Sequence, residues 1–183
     1  MIDKIIELPM FLEKNIIEGL FTGVILIIFV RLFFKEKIET IITLEIIRWT
    51  IITYCLITLI TWLLILMFPI SKNYVFLDRI TGLYAWLYWL FFLLNTVIPL
   101  ILLNRKVGKK IYIVFLLTLL MNIGWAFESF LILKSSSYMN YIENNYIGFF
   151  FNGRQIPILI KGFFVGLISL VIGNGIRKWK HLK

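Results

Sequence analysis

Ionisable side chains are expensive to keep inside hydrocarbon, so each one found in an apolar run has a partner or a use. Three candidates occur in this chain. Glu18 opens the first apolar run, Glu128 lies near the end of the fourth, and Lys161 sits in the second turn of the fifth. At a helical rise of about 1.5 Å per residue, Glu128 and Lys161 reach matching depth, roughly 8–9 Å inside the outer boundary. An ion pair between them is allowed by that depth, and Glu18 is a rival partner for Lys161. The chemistry such groups support is proton relay, or a charge pair that fixes helix arrangement.

Two polar, aromatic stripes accompany these charges. Tyr84, Tyr88, Asn95 and Pro99 share one face of the third run, with Trp86 in the same aromatic cluster, YAWLYW. Pro99 has no N–H to give the carbonyl of Asn95, so a kink and a free acceptor are expected there. In the fourth run Thr118, Asn122, Trp125 and Ser129 follow helical spacing, and Glu128 borders them. These stripes are expected to face away from lipid. Two uses fit them: a satisfied interhelical hydrogen-bond network, or the wall of a cavity for a polar headgroup on a greasy tail, such as a quinone. Aromatic belts at membrane interfaces account for most clusters like residues 84–89, and stacking on a quinone ring is the sharper alternative.

EGLFTG at 18–23 and KGFFVG at 161–166 each place a charge before Gly-x-x-x-Gly. Small residues at that spacing let two membrane helices approach closely. In the fifth run the seam continues through Gly162, Gly166, Ser169 and Gly173. Both motifs enter the membrane from the same side and form no inverted pair, which sets a small transporter last among the readings.

Other chemistries lack their residues. The single histidine, His181, is in the tail, and the single cysteine, Cys55, lies in the second apolar run. No metal site, haem ligation, iron–sulfur cluster or Ser/His/Asp set can be assembled from these. The expectation is that nothing is bound covalently or by metal ligation, and that quinone is the one cofactor to consider.

The elements that must position these residues are membrane helices. Of 183 residues 61% are apolar and only 16% charged, more apolar surface than a soluble domain of this length can hide. Five runs are long enough to span a bilayer, at 15–34, 49–70, 84–103, 111–134 and 156–176. The fold class expected is all-α, one polytopic bundle of about five transmembrane helices over residues 15–176. Residues 1–14 read as an interfacial segment and 177–183 as a basic cytoplasmic tail.

The formal charge of +9 follows topology and does not suggest nucleic acid. Arg31, Lys35, Lys37, Arg48, Arg105, Lys106, Lys109, Lys110, Arg177, Lys178, Lys180 and Lys183 fall on one side of a five-helix chain. Lys4, Lys14, Lys72, Arg79, Lys134 and Arg154, half as many, fall on the other. The positive-inside bias therefore predicts an outside N-terminus and a cytoplasmic C-terminus.

From residue 77 the order of residues resembles a known family. FLDRITGLYAWLYWLFFLLNTVIPLILLNRKVGKK and then MNIGWAFESFLI are similar to the NrfD or polysulfide-reductase type of integral membrane subunit. The likeness is closest to the quinone-binding membrane subunits of alternative complex III. The residues that carry it are Gly82, Tyr84, Trp86, Tyr88, Trp89, Asn95 and Pro99, then Asn122, Gly124, Phe127, Glu128 and Phe130. Ser129 stands where the family has an arginine. The resemblance implies a multi-pass subunit of a respiratory complex in the bacterial cytoplasmic (inner) membrane. Its implied partners are the lipid bilayer, other membrane subunits and an iron–sulfur or cytochrome subunit, with no nucleic acid. Glu128, with Lys161 or Glu18, would relay a proton or hold the helices. Tyr84, Trp86, Tyr88, Asn95, Asn122 and Trp125 would line a quinone site or cavity. The alternative is a non-enzymatic assembly protein that keeps only the scaffold.

Overall fold

A computed structural model of the chain describes residues 2–34, 38, 40–67, 81, 85–123 and 155–181. Among these residues every regular element is helical, and four helices are long and apolar enough to cross a membrane. We label the helices α1 (Ile2–Leu12), α2 (Leu20–Phe33), α3 (Thr40–Met67), α4 (Ala85–Leu103), α5 (Ile111–Ile123) and α6 (Gln155–His181). The all-α membrane bundle expected from composition is the observed architecture.

The first apolar run departs from a continuous helix. After α1 the chain makes one π turn over Glu13–Ile17, and α2 begins only at Leu20. The hinge is Gly19, whose φ of 80° lies in the left-handed region. A side chain there would be strained, and a Cβ would also sit 2.2 Å from the carbonyl oxygen of Ile158 on α6. The run from 15 to 34 thus contains a break close to its beginning.

α6 is the spine of the bundle. Its small residues Gly162, Gly166, Ser169 and Gly173 are all buried on one face, as the seam requires. Gly162 meets Gly19 and Gly166 meets Gly23, backbone against backbone: a Cβ on Gly166 would lie 2.6 Å from the Gly23 Cα. Further along, Gly173 packs against Thr43 of α3. The two Gly-x-x-x-Gly motifs therefore do interlock. In a bilayer such contact supplies what hydrophobic burial cannot, because lipid tails are as apolar as leucine.

The interior between α2, α3, α5 and α6 is filled by Leu20, Val24, Ile27, Ile47, Ile51, Ile52 and Val114. Outward faces are apolar too: Leu32, Phe33, Met67 and Val171 are each at least 71% exposed. A helix apolar all round has lipid as its solvent.

α4 carries the disruption predicted at Pro99. It is α-helical over Ala85–Phe92, widens to a π turn over Leu93–Val97 and tightens to a 3-10 segment over Ile98–Leu103. The missing proline N–H is accommodated by this change of winding, with Pro99 itself buried.

Candidate functional site: a braced helix break and a kinked interface

Breaking a helix inside a membrane leaves backbone groups that water cannot satisfy. Here side chains from α5 and α6 answer them. The N–H of Gly19 donates to Asn122 Oδ1 at 3.0 Å, across more than 100 positions of sequence. The Nδ2 group of Asn122 donates to the carbonyl of Thr118 at 2.7 Å and approaches that of Ile17 at 3.5 Å. This pattern, one accepted bond and donors toward carbonyls, fixes the amide's orientation. Thr22 shares its single hydroxyl proton between the carbonyls of Gly19, at 2.7 Å, and Leu159, at 2.9 Å. It thereby ties α2 to α6 at the level of the hinge.

Lys161 completes the brace. Its Nζ donates to the carbonyl of Lys14 at 3.3 Å and to Asn15 Oδ1 at 3.4 Å. Carbonyls at a helix C-terminus carry partial negative charge, so an ammonium there is favourably placed. Among the described residues, Lys14 and Lys161 both lie within Coulombic reach of the Glu18 carboxylate. Among the described residues, however, Glu18 and Lys161 close no direct ion pair. Glu128, the other acid considered for Lys161, lies outside the described residues, as do Tyr84 and Trp125.

The second polar stripe faces a different neighbour. Tyr88 of α4 stacks on Trp62 of α3, with ring centroids 5.8 Å apart, and Trp62 also meets Trp89 and Phe92. The carbonyl of Asn95, left free by Pro99, accepts the Cys55 thiol at 3.7 Å, a sulfur hydrogen bond. The acceptor expected from the proline is present, and its donor is the lone cysteine. Asn95 Oδ1 is buried and, among the described residues, has no hydrogen-bond donor. Trp86 points elsewhere, at 65% exposure, in the manner of an interfacial belt. The structure thus brings Glu18, Asn122 and Lys161 together around the hinge, and places Tyr88 and Asn95 apart from them, against α3.

One charged pair escaped the sequence reading, which assigned Arg48 to the basic segment before the second span. Arg48 is eight residues inside α3, about 12 Å from its start, and is only 4% exposed. Its Nη1 bonds the carboxylate of Glu45 and its Nε donates to the carbonyl of Leu102 at 2.9 Å. That carbonyl belongs to the last turn of α4, where no helical N–H follows to satisfy it. Gly108, in the turn after α4, lies against the Arg48 stem: a Cβ there would come within 2.3 Å of its Cδ. The signal was available in LEIIRW, whose acid and base are three apart between apolar residues.

What these arrangements can do is clear from their donor sets. Asn122, Thr22 and Lys161 are engaged with backbone, which holds helices. Asn95 keeps an acceptor in reserve beside an aromatic cluster. Among the described residues no group of histidine, cysteine, aspartate and glutamate could hold a metal ion. Comparison with family models, curated proteins and solved structures finds no match to this chain.

Proposed function

We propose that this chain is an integral membrane subunit of an electron-transfer assembly, related to the NrfD type, whose α3–α4 interface meets the polar head of a quinone. The observation that carries the reading is Asn95 Oδ1, a buried acceptor without a donor among the described residues. Buried polar atoms are normally paired, so an orphan is a candidate contact for a hydroxyl or other donor brought by a ligand. A quinol hydroxyl supplies that donor, and Trp62, Tyr88, Trp89 and Phe92 supply aromatic surface on the same two helices. The sequence likeness over residues 77–134 points the same way. Electron carriers belong to a partner subunit in this reading. The topology consistent with it has the N-terminus outside and the C-terminus in the cytoplasm, in a bacterial inner membrane.

The test is to isolate the assembly through a tag on this chain and assay quinol-dependent electron transfer. Asn95→Leu should lower the rate by about tenfold, the cost of one lost hydrogen bond to a ligand, while the chain is still incorporated. An unchanged rate removes quinone contact from this subunit.

A second reading, a non-enzymatic assembly subunit, is favoured by a specific observation: Asn122 and Lys161 are both consumed in bracing the α1–α2 hinge. Replacing Lys161 by Met together with Glu128 by Gln separates the two. Retained host activity with intact assembly supports the packing role, since removing both members of a pair is often tolerated. Lost activity in a folded complex supports proton or quinone handling.

A further inference from the structure

A cavity of about 580 Å³ runs along a face of α3, bordering the Glu45–Arg48 pair at one end and the hinge residue Ile17 at the other. Its α3 wall follows one helical face from Glu45 through Trp49 and Thr53 to Ile57, and it is bounded by Ile16 on one part and Ile176 on another. The surface is almost wholly hydrocarbon. The charged residue of its lining stands at one end, where the Glu45 carboxylate is 30% exposed although one oxygen is bonded to Arg48.

Depth gives the groove a direction. Glu45 is the sixth residue of α3, about 8 Å from its start, and Ile57 is a further twelve residues or about 18 Å along. One leaflet of hydrocarbon is about 15 Å deep, half the bilayer core. The groove therefore begins at headgroup level, marked also by the half-exposed Trp49, and ends near the bilayer midplane. A groove of that length and lining fits one acyl chain entering from the leaflet at the Thr40 end. The free side of the Glu45 carboxylate selects among headgroups: it favours an ammonium and disfavours a purely anionic group. Arg177 follows Ile176, the lining residue contributed by α6, and is the cation nearest in sequence for a phosphate.

We infer that this groove is a specific site for a glycerophospholipid with an ammonium-bearing headgroup, phosphatidylethanolamine in kind, with one acyl chain lying between α3 and the first segment. Its occupant would be retained when annular lipid exchanges. It would also cover the flank of α3 beside Tyr54 and the Glu45–Arg48 pair.

The experiment uses the full chain in nanodiscs of phosphatidylethanolamine and phosphatidylglycerol in equal amounts, each lipid in turn carrying a diazirine on its acyl chain. Peptide mapping after illumination is expected to place label on Ile16, Thr50, Thr53 and Ile57 about tenfold above lipid-facing Val171 and Leu32, with the ethanolamine lipid preferred. Thr53→Trp, at an exposed position, fills the groove without disturbing the interior and should abolish that excess. Glu45→Gln should leave the label in place and erase the headgroup preference. Because the mapping on the unsubstituted chain needs no variant, misfolding of either one does not rescue the idea. Label spread evenly over all lipid-facing residues means annular lipid only and overturns the site. So does a groove shielded by a second copy of the chain, seen as chain-to-chain cross-links, or a prenylquinone in place of phospholipid in the mass spectrum. Equal labelling by the two lipids in the unsubstituted chain overturns the ammonium assignment.

Discussion

Replacing Asn122 by Leu is the cleanest perturbation of the braced hinge. Leucine keeps helix propensity and volume in α5 but removes both halves of the amide. Three bonds are lost and they do not weigh equally. The contact to the Ile17 carbonyl, at 3.5 Å, is at the geometric limit and contributes little. The bond to Thr118 lies within α5, whose carbonyl is already in the helical ladder, so its loss leaves no orphan. The Gly19 N–H is different, because among the described residues no other acceptor reaches it and the donor is left unpaired. An unsatisfied buried amide costs about 1–3 kcal/mol, and interhelical bonds in membrane proteins average about 0.6 kcal/mol with a maximum near 1.7. We therefore expect Asn122→Leu to destabilise the bundle by about 2 kcal/mol, a factor of about 30 in the folding equilibrium. Thr118→Val is the control: it deletes a hydroxyl that bonds only within α5, to the Phe115 carbonyl at 2.9 Å, and should cost below about 1 kcal/mol. Reversible unfolding in mixed micelles, followed by helical circular dichroism, measures both. Equal losses in the two variants, or a loss in Asn122→Leu smaller than about 0.5 kcal/mol, would refute the assignment of Asn122 as the brace of the break.

Gly162→Ala should separate α2 from α6, because the new Cβ would meet the Gly19 carbonyl oxygen at 1.7 Å, whereas Gly175→Ala, which meets nothing within 4 Å, should be neutral or slightly stabilising; thermal unfolding of the two side by side checks the contrast. Arg48→Met should cost about 1–3 kcal/mol by leaving the Leu102 carbonyl unpaired and Glu45 without its cation, and adding Glu45→Gln should recover part of that loss in a double-mutant cycle. Lys161→Met should change stability by less than about 1 kcal/mol, because the ammonium is exposed and its two bonds, at 3.3 and 3.4 Å, are long. Cys55 is fully buried, so a membrane-permeant maleimide should modify it only as fast as α3 and α4 separate, and the rate should track stability across these variants.

Composition and run length made the membrane bundle legible, since no soluble arrangement hides so much apolar surface. The Gly-x-x-x-Gly seam was legible for the same kind of reason: few side chains permit backbones to touch, and their spacing is visible in the sequence. Pro99 announced a free carbonyl at Asn95 because the missing N–H is a covalent fact. The partner of that carbonyl was not legible, because Cys55 is a small apolar side chain in sequence terms and only the packing of α3 on α4 brings its sulfur near. Gly19 illustrates the limit more sharply. Its value for close approach could be read from spacing, but its left-handed backbone could not, since the groups that stabilise the hinge are Asn122 and Lys161, distant in sequence. Asn122 and Lys161 stood out as polar residues in apolar runs, yet their partners are main-chain atoms, which carry no sequence signature. Arg48 was misplaced by one boundary: counting the span from residue 49 put a buried cation among loop residues.

The hinge at Gly19 has a consequence for biogenesis. Apart from the local Thr22 hydroxyl, the side chains and backbone that brace it are synthesised later: Asn122 on α5, then Leu159, Lys161 and Gly162 on α6. As the nascent chain leaves the ribosome, the first segment reaches the membrane with only its local bonds to hold the bend, and the interhelical partners arrive once the distal helices have been inserted. Early elements of the chain thus wait on late ones, and a chain ending before α6 would lack the Leu159, Lys161 and Gly162 contacts that hold its N-terminal bend.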